Sequence, residues 1–572
     1  MLLLAGAGLG AVVEVGDTPA LRDALNSASP GDRIVMRPGS YEHLYVSEVH
    51  GTAEALIEVV AKDPAHPPVF SGSQGFQLYQ SSYVLVDGIV VSGCTDEGVH
   101  FGFSDHIVLR NVVSTDMPGA VNADTFKMDG CNDLLFHNCA AANWSGGSGF
   151  DFVGCRDVLI TRTTLTYPGG GSNGIQPKGG SFNMAFYKNR LNDAGSRAQQ
   201  FGGSTGDQYY HQGNRELGWE AYDQVAMGNV ITQSDSAVAY VSCTDCNFAY
   251  NTVVDPRDYI LRILKEGGDH PTAEDTFARN LIVYGPLNGI VNVGSNTLPA
   301  TFTYAENYWY KWSNPAQSIP TLPAPEINPA GGTDPQLDAD YRPLYDGAKD
   351  YGAHAPAMEA AFEDYVSWFQ WAWDWAQVFE PKAAPGGPYE VGPGGSITLD
   401  ASASYAGAGS YGAYSFDSLQ WDLDRDGSYD AAGRTIQIPY EYLTLLGLGF
   451  GSHLVELKAT VTNEYNTLWD LGWAELVLVN HPALAGDANA DNVVDGLDYN
   501  AWSLHYLESG HPAWADGGWS VGNFNADDVV DGLDYNAWSL NYAPEAAAVP
   551  EPSCGLLLMA GIWAIKRRRH KT

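Results

Sequence analysis

A group of basic residues stands out between positions 156 and 197 of a strongly acidic chain. It consists of Arg156, Arg162, Lys178, Lys188, Arg190 and Arg197, against only two acidic residues, Asp157 and Asp193. The whole chain has 68 acidic and 29 basic residues, a formal net charge of −39, which excludes nucleic-acid phosphates as a partner. Local cations can neutralise a substrate carboxylate, and a lysine whose pKa is lowered by burial or by a nearby arginine can act as a base.

Tyr209, Tyr210 and His211 follow closely in the sequence, and Tyr210 or His211 could transfer a proton. A phenol or an imidazole can donate a proton to a leaving oxygen. Elimination beside a uronate carboxylate requires a base, a cation that neutralises the carboxylate, and such a donor. The two neighbouring stretches therefore contain all three kinds of group.

A second kind of chemistry is indicated near the C-terminal end, where a loop of 19 residues from Gly486 to Leu504 recurs 36 residues later. Loop positions 1, 3, 5, 9 and 12 have side-chain oxygens, which Ca²⁺ prefers as ligands. The candidate ligands are Asp487, Asn489, Asp491, Asp495 and Asp498 in the first loop and Asn523, Asn525, Asp527, Asp531 and Asp534 in the second. The second loop is expected to bind calcium more weakly, because its first ligand is an amide.

Other acidic residues leave more than one function open. Asp124, Asp129 and Asp151 could cap coil corners, bind calcium or supply the paired acids of a glycoside hydrolase. Asp422, Asp424, Asp426 and Asp430 alternate along one loop, as in either a calcium-binding loop or a plain polar turn.

The elements that must position the basic residues repeat along the chain. Short β-branched or aromatic segments end in a polar residue, at Asn111, Asn138, Thr163, Asn189, Asn229, Asn251, Asn280 and Asn307, with intervals of 27, 25, 26, 40, 22, 29 and 27 residues. Coils of about 25 residues with three short strands fit this period, and the asparagines would stack as a ladder. The 40-residue interval predicts an insertion near 203–222, and insertions in a solenoid tend to mark its binding face.

Residues 15–345 resemble the right-handed parallel β-helix proteins of the pectate-lyase-like superfamily, and the segment Gly31–Tyr41 is similar to the first turn of that superfamily. The expected fold class is therefore all-β dominated and multidomain. A β-helix is predicted over 14–355, followed by an aromatic-rich cap or linker over 356–384. That aromatic segment is expected to form a helix that caps the open end of the stack.

The resemblance also suggests an activity. Lys178 and Arg197 lie on successive predicted coils, similar to the lysine and arginine of β-helical lyases that act on alginate and chondroitin-type polymers. A polysaccharide lyase is expected, with Lys178 as the base, Arg197 as the carboxylate clamp and Tyr210 or His211 as the proton donor. Arg162, Lys188, Arg190 and Tyr209 are expected to bind the substrate. A polysaccharide hydrolase and a non-catalytic surface-binding or adhesive β-helix are the alternatives.

Three attachment modules are predicted downstream. Residues 385–481 resemble a PKD-type β-sandwich, and the paired loops of 484–545 resemble a type I dockerin, which implies a cohesin-like scaffold protein as partner. Residues 549–570 resemble the PEP-CTERM signal of Gram-negative bacteria, in which Val-Pro-Glu-Pro precedes an apolar run and an arginine cluster. That signal implies cleavage by an exosortase-type enzyme. Residues 1–13 are mostly apolar and are expected to be a partial leader, so an exported protein of the cell envelope or surface is predicted.

Overall fold

The computed structural model describes residues 10–118, 123–168, 170, 172–210, 214–525 and 527–543. Two compact units separate along the chain. The first contains the residues up to Ala383 with Ser404–Ser418 and Lys458–Leu471, and the second contains Ala384–Ala403, Leu419–Leu457 and the residues from Gly472 onward. The predicted sandwich span of 385–481 is thus divided between the two units. The predicted sorting tail at 549–570 and most of the predicted leader lie outside the described residues.

The first unit is dominated by a parallel β-solenoid, in which successive coils contribute strands to three parallel sheets. In the described ranges, the first sheet has the strands Val12–Val15, Arg33–Met36, Ile57–Ala61, Ser82–Asp87, Asp105–Arg110, Asn132–His137, Arg156–Thr161, Ser181–Tyr187, Ala221–Met227, Cys243–Ala249, Thr276–Ala278 and Thr303–Ala305. The second sheet has Leu44–Ser47, Phe76–Tyr79, Val99–Gly102, Phe126–Asp129, Ser148–Val153, Asn173–Lys178, Arg197–Gly202, Ser236–Val241, Tyr259–Leu264 and Val291–Val293. The third sheet has Gly39–Tyr41, Pro68–Phe70, Val90–Ser92, Val113–Met117, Ala140–Trp144, Thr164–Thr166, Arg190–Asn192, Val230–Thr232, Thr252–Val254, Leu281–Tyr284, Tyr308–Lys311 and Ala330–Gly331.

Apolar side chains fill the space between the three sheets. The rings of Phe126 and Phe150 stack with their centroids 4.3 Å apart, and Phe136 meets Phe150 edge-on at 5.3 Å. Each such ring contributes roughly 1.5–3 kcal/mol by its burial. Because side chains alternate along a strand, the residues between these core positions must point out of the solenoid.

The first coil is covered by the α-helix Thr18–Ser27, which contacts the nearby strands Val12–Val15 and Leu44–Ser47. The side chain of Asp17 accepts a hydrogen bond from the backbone N–H of Ala20 and so caps the start of this helix. The helix buries its apolar side against the first coil. The solenoid therefore begins with a closed end.

The asparagine ladder is confirmed from Asn189 to Asn307. Asn229 donates through Nδ2 to Oδ1 of Asn251 at 2.9 Å, and the same oxygen accepts the backbone N–H of Asn229 at 3.0 Å. Asn111 and Asn138 belong to the preceding corner position, where both adopt left-handed φ values of 52° and 54°. They bond to each other at 2.6 Å. The repeat counted in the sequence therefore mixed two adjacent corner positions. Asn111 and Asn138 occupy the first, and the asparagines from Asn189 to Asn307 occupy the second.

The aromatic-rich segment 356–384 contains the α-helices Met358–Glu363 and Gln370–Phe379, joined through the 3₁₀ turn Val366–Trp368. The prediction that it caps the open end of the stack is wrong. Its buried side packs on a column of outward-facing apolar residues of the first sheet, formed by Leu85, Val108, Leu135, Leu159, Ala185 and Val225. That column leaves apolar area on the side of the solenoid, and the helices remove it from water.

The region 385–481 contains antiparallel strand pairs and one parallel pair, and a small helical region of the second unit follows it. The strands of the region 385–481 are Tyr389–Val391, Ser396–Asp400, Ala408–Gly409, Gly412–Ala413, Ser418–Asp422, Ala431–Ala432, Thr435–Pro439, Gly451–Thr462 and Thr467–Leu478, with the helix Tyr440–Leu445. The helical region has Gly496–His505 and Gly532–Asn541, with 3₁₀ turns at Trp514–Asp516 and Gly518–Val521. The other 3₁₀ turns that the structure describes are Asp207–Tyr209, Asn214–Leu217, Pro299–Thr301, Pro315–Gln317 and Asp346–Ala348. None of the helices in the described part of the chain combines the length and the apolar character needed to cross a membrane.

Candidate functional site

The outward face of the second sheet presents a row of polar side chains, one from each successive coil. The strand register places His100 beside Lys127, Lys127 beside Asp151, and Asp151 beside Gln176. Their sequence neighbours Phe126, Phe150 and Ile175 point into the core (the two sets alternate along each strand). Because these apolar neighbours occupy the core, the polar residues of the row must point outward.

Two lysines converge on one carboxylate in this row. Lys178 Nζ lies 2.9 Å from Asp151 Oδ1, and Lys127 pairs with the other oxygen, Oδ2. The Asp151 side chain is 4% exposed, whereas the side chains of Lys127 and Lys178 are 19% and 20% exposed. Burial raises the pKa of Asp151, but the ammonium groups of Lys178 and Lys127 outweigh it and hold that pKa below its usual range. The carboxylate is thus an ionised anchor for two partly accessible ammonium groups.

A second carboxyl group, that of Asp124, adjoins this pair. One of its oxygens lies 3.8 Å from Lys127 Nζ, and the other accepts the backbone N–H of Ser148 at 2.5 Å. Burial and the negative charge of Asp151 raise the pKa of Asp124 to about 8. The two neighbouring aspartates therefore differ in protonation near neutral pH, which is the arrangement that separates an acid from a base in many active sites.

The predicted insertion after Gly202 flanks Lys178. A side chain at Gly203 would meet Nε2 of Gln176 at 2.6 Å and Cβ of Lys178 at 3.4 Å, so the loop backbone lies directly against the row. Buried Glu220 holds this arrangement by accepting the backbone N–H groups of Gly179 at 2.9 Å and Thr205 at 2.8 Å. A glycine at 203 is what allows this close approach.

Tyr210 lies in the same loop, with its hydroxyl buried. Burial and the carboxylate of Glu220 raise the pKa of Tyr210 well above its usual range, so its phenol keeps its proton. Tyr209 is 55% exposed on the same loop. His211, the alternative proton donor, lies outside the described residues.

The predicted pairing of Lys178 with Arg197 is not formed. The register aligns Arg197 with Asn173, at the opposite end of the strand that ends at Lys178. The two positions are therefore separated by roughly 16 Å along the strand direction. Arg197 instead bonds to Gln200 Oε1 at 2.5 Å and pairs with Glu266 at 2.7 Å. Residue spacing alone placed the two on successive coils without fixing which end of each strand they occupy.

Three predicted substrate-binding cations are also engaged elsewhere. Arg162 and Lys188 occupy left-handed corners with φ of 56° and 54°, each following a strand of the first sheet. Both pair with Asp470, at 3.4 and 2.8 Å, and their side chains are only 12% and 14% exposed. Arg190 begins a strand of the third sheet and pairs with Asp340 at 3.2 Å. The expectation that these residues line one face together with Lys178 is wrong, since coil corners place them on other sides of the solenoid.

Sequence reasoning missed Lys127, because it lies outside the basic stretch. The signal that could have found it is the alternation Phe126-Lys127-Met128, one coil before the similar Phe150-Asp151-Phe152. Aligning the two segments makes Lys127 and Asp151 neighbours on the same face.

The duplicated loops fold with matching hydrogen bonds, so the candidate calcium ligands occupy equivalent positions in the two loops. Asp498 and Asp534 are fully buried, and both accept backbone N–H groups of their own loops at 2.7 and 2.8 Å, with a third at 3.2 Å to Asp498. Burial raises the pKa of Asp487 and of Asp534. The oxygen donors of the first loop fit Ca²⁺. In the second loop, Asn523 donates its amide N–H groups to two backbone carbonyls. Its side-chain oxygen, Oδ1, is then the one side-chain atom of Asn523 that can bind a cation.

The two loops also support each other. The indole N–H of Trp502 donates to the backbone carbonyl of Asp531 at 2.7 Å, and that of Trp538 donates to the carbonyl of Asp495 at 2.8 Å. Asp495 and Asp531 each cap the helix that follows. Each helix therefore contacts the end of the other loop through equivalent residues.

No family model matches this sequence, and no curated protein matches it. Several solved structures are similar in fold. An alginate lyase from a Paenibacillus species shares 15% identity and a TM-score of 0.35 over 50% of this chain and 97% of its own. A lacto-N-biosidase from Eubacterium ramulus shares 12% identity and a TM-score of 0.39 over 56% and 67%. A pectate lyase shares 13% identity and a TM-score of 0.31 over 52% and 80%. These values are too low to assign a substrate or a mechanism.

Proposed function

We propose that this chain is a polysaccharide lyase that cleaves a uronate-containing polymer by β-elimination. The observation that carries the proposal is the pair of ammonium groups of Lys127 and Lys178, held around the carboxylate of Asp151 on the outward face of the solenoid. While Asp124 is protonated, two ammonium charges against the one carboxylate of Asp151 leave this cluster with one net positive charge; Asp124 becomes the base only after it has lost its proton to solvent. In a chain of net charge −39, such a local excess favours an anionic polymer at this face.

The proposed roles follow from the protonation state of each group. Lys127 and Lys178 neutralise the uronate carboxylate, which makes the adjacent C–H bond more acidic. An ion-paired ammonium has no free electron pair, so Lys178 acts here as a clamp rather than as the base. Asp124 in its ionised form removes the proton, since a carboxylate with a pKa of about 8 is a stronger base than an ordinary aspartate. The C–H electron pair then forms the double bond as the glycosidic C–O bond breaks, and the leaving oxygen takes a proton from water.

Hydrolysis is the second candidate, and the contrast between Asp124 and Asp151 favours it. In this alternative, protonated Asp124 is the general acid and ionised Asp151 is the nucleophile or base. The two mechanisms require opposite protonation states of Asp124. Their pH dependence should therefore differ in sign around pH 8.

The full chain incubated with a panel of uronate polysaccharides tests the proposal. A lyase produces ultraviolet absorbance from the unsaturated uronate, whereas a hydrolase produces new reducing ends without that absorbance. Lys178→Met and Lys127→Met should each abolish the absorbance. Lys62→Met is the matched control, because Lys62 forms an exposed ion pair with Glu14 at 2.7 Å. Polymer binding without either product would contradict the enzymatic proposal and indicate a surface-binding protein.

We also propose that the enzyme acts outside the cell and is attached to a surface. The proposal rests on the paired oxygen-rich loops at 484–545 as a calcium-dependent dockerin-like module for a cohesin-like scaffold, on the PKD-like region at 385–481, and on the PEP-CTERM-like residues 549–570 as an exosortase signal. A Gram-negative cell envelope is the proposed location. Calcium-dependent retention of the full chain on an immobilised cohesin tests the docking step, and loss of retention on Asp487→Ala is the expected result.

A further inference from the structure

We propose that His505, Glu508 and His511 form a binding site for zinc. Oε2 of Glu508 lies 2.8 Å from Nδ1 of His505 and 3.1 Å from Nε2 of His511. The three ligand atoms all lie within 4.8 Å of one another. In a tetrahedral zinc site with bonds of about 2.0–2.1 Å, neighbouring ligand atoms lie roughly 3.3 Å apart. Small shifts of the side chains would therefore place an ion at bonding distance from all three.

The donor set distinguishes this site from the calcium loops. Two imidazoles and one carboxylate suit Zn²⁺, whereas Ca²⁺ takes oxygen ligands only. The side chains of His505, His511 and Glu508 are 34%, 22% and 53% exposed, so an ion can reach them from solvent. Three protein ligands leave the fourth position for water or for a group from a partner.

The backbone already holds the three ligands in place. His505 is the last residue of the helix Gly496–His505. Glu508 follows in the linker, residues 506–522, which leads to the second loop. The linker pairs with that loop, since Leu507 N–H donates to the carbonyl of Val530 at 2.8 Å and Val530 N–H donates to the carbonyl of Glu508 at 3.0 Å. The site is therefore largely pre-formed, and little backbone order has to be gained on binding.

The position of the site also implies a role. The linker contacts the second calcium loop again where Asn523 donates to the carbonyl of Pro512 at 2.7 Å. Zinc bound to His505, Glu508 and His511 would fix this linker and so stabilise the loop whose first ligand is an amide. By linkage, zinc and calcium should each raise the affinity for the other.

Zinc binding to the full chain, measured by equilibrium dialysis in saturating Ca²⁺, tests the proposal. The wild type should bind one zinc ion that both His505→Gln and His511→Gln lose. His66→Gln is the matched control, because His66 forms an exposed pair with Asp63 at 2.8 Å and should leave zinc binding unchanged. Circular dichroism of the variants verifies that they remain folded.

A second measurement reports the geometry of the site directly. Co²⁺ in place of zinc should give the visible absorption of a tetrahedral ion in the wild type and lose it in His505→Gln. A wild type that binds no zinc in saturating Ca²⁺ would overturn the proposal. So would variants that retain the wild-type stoichiometry and the Co²⁺ spectrum.

Discussion

Replacing Asp151 with asparagine keeps the shape of the side chain but removes the negative charge that lies between two ammonium groups. Removing one partner from a buried ion pair destabilises a protein by about 3–5 kcal/mol. Lys127 and Lys178 remain 19% and 20% exposed, so water can solvate part of their charge. Asp124 also lies 3.8 Å from Lys127 and can ionise in compensation. We therefore expect the lower end of the range, about 3 kcal/mol.

Differential scanning calorimetry of the full chain measures this change. A unit of roughly 400 residues has an unfolding entropy of roughly 0.8 kcal/mol/K, so a loss of about 3 kcal/mol should lower Tm by about 3–4 °C. Asp63→Asn is the control, since the pair of Asp63 and His66 is exposed and should change Tm by less than about 1 °C. An Asp151→Asn variant with the Tm of the wild type, or a higher one, would refute the reasoning that this carboxylate anchors the two lysines.

Three further predictions concern stability and calcium. Asn251→Ala removes a fully buried amide from the ladder and leaves its partners unsatisfied. Urea unfolding should show a loss of about 3 kcal/mol, against little change for Asn288→Ala, which removes an exposed hydrogen bond to Asp258. Burial raises the pKa of Glu380, but Arg162 outweighs it and holds that pKa well below its usual range. Stability should therefore fall as the pH drops below about 4.5, and Glu380→Gln should flatten this dependence in acid titrations followed by fluorescence. Asn523→Asp adds a carboxylate to the second loop and should tighten its calcium binding in calorimetric titrations, whereas equal affinity would contradict that ligand assignment.

The solenoid could be predicted because its signals are local and repeated. Each coil carries its own alternation of apolar residues and its own polar corner, so the period was readable from Asn189 to Asn307 without knowledge of distant contacts. The packing of the aromatic-rich segment 356–384 on the side of the solenoid could not be predicted from such local signals. It depends on an outward apolar column that only the packed strands reveal, with Leu135 and Leu159 as members.

The candidate site was predicted in part, and the reason lies in strand register. Lys178 was identified from its charge, and it does face outward beside Asp151. Arg197 was paired with it by residue count, but corner lengths vary between coils and shift the alignment to Asn173. Several roles stayed open for Asp124 and Asp151 at the sequence level, because burial and nearby ammonium groups set their protonation, and neither is visible in a sequence.

The pH dependence of elimination tests the central claim most directly. The initial rate of ultraviolet absorbance on a uronate polymer would be measured from pH 6 to pH 10 for the wild type and for Asp124→Asn. If ionised Asp124 is the base, the wild-type rate should rise through about pH 8, in line with its raised pKa. Asp124→Asn should lose the activity while still binding the polymer. Reducing ends that form without absorbance, at a rate that falls through pH 8, would contradict the lyase mechanism.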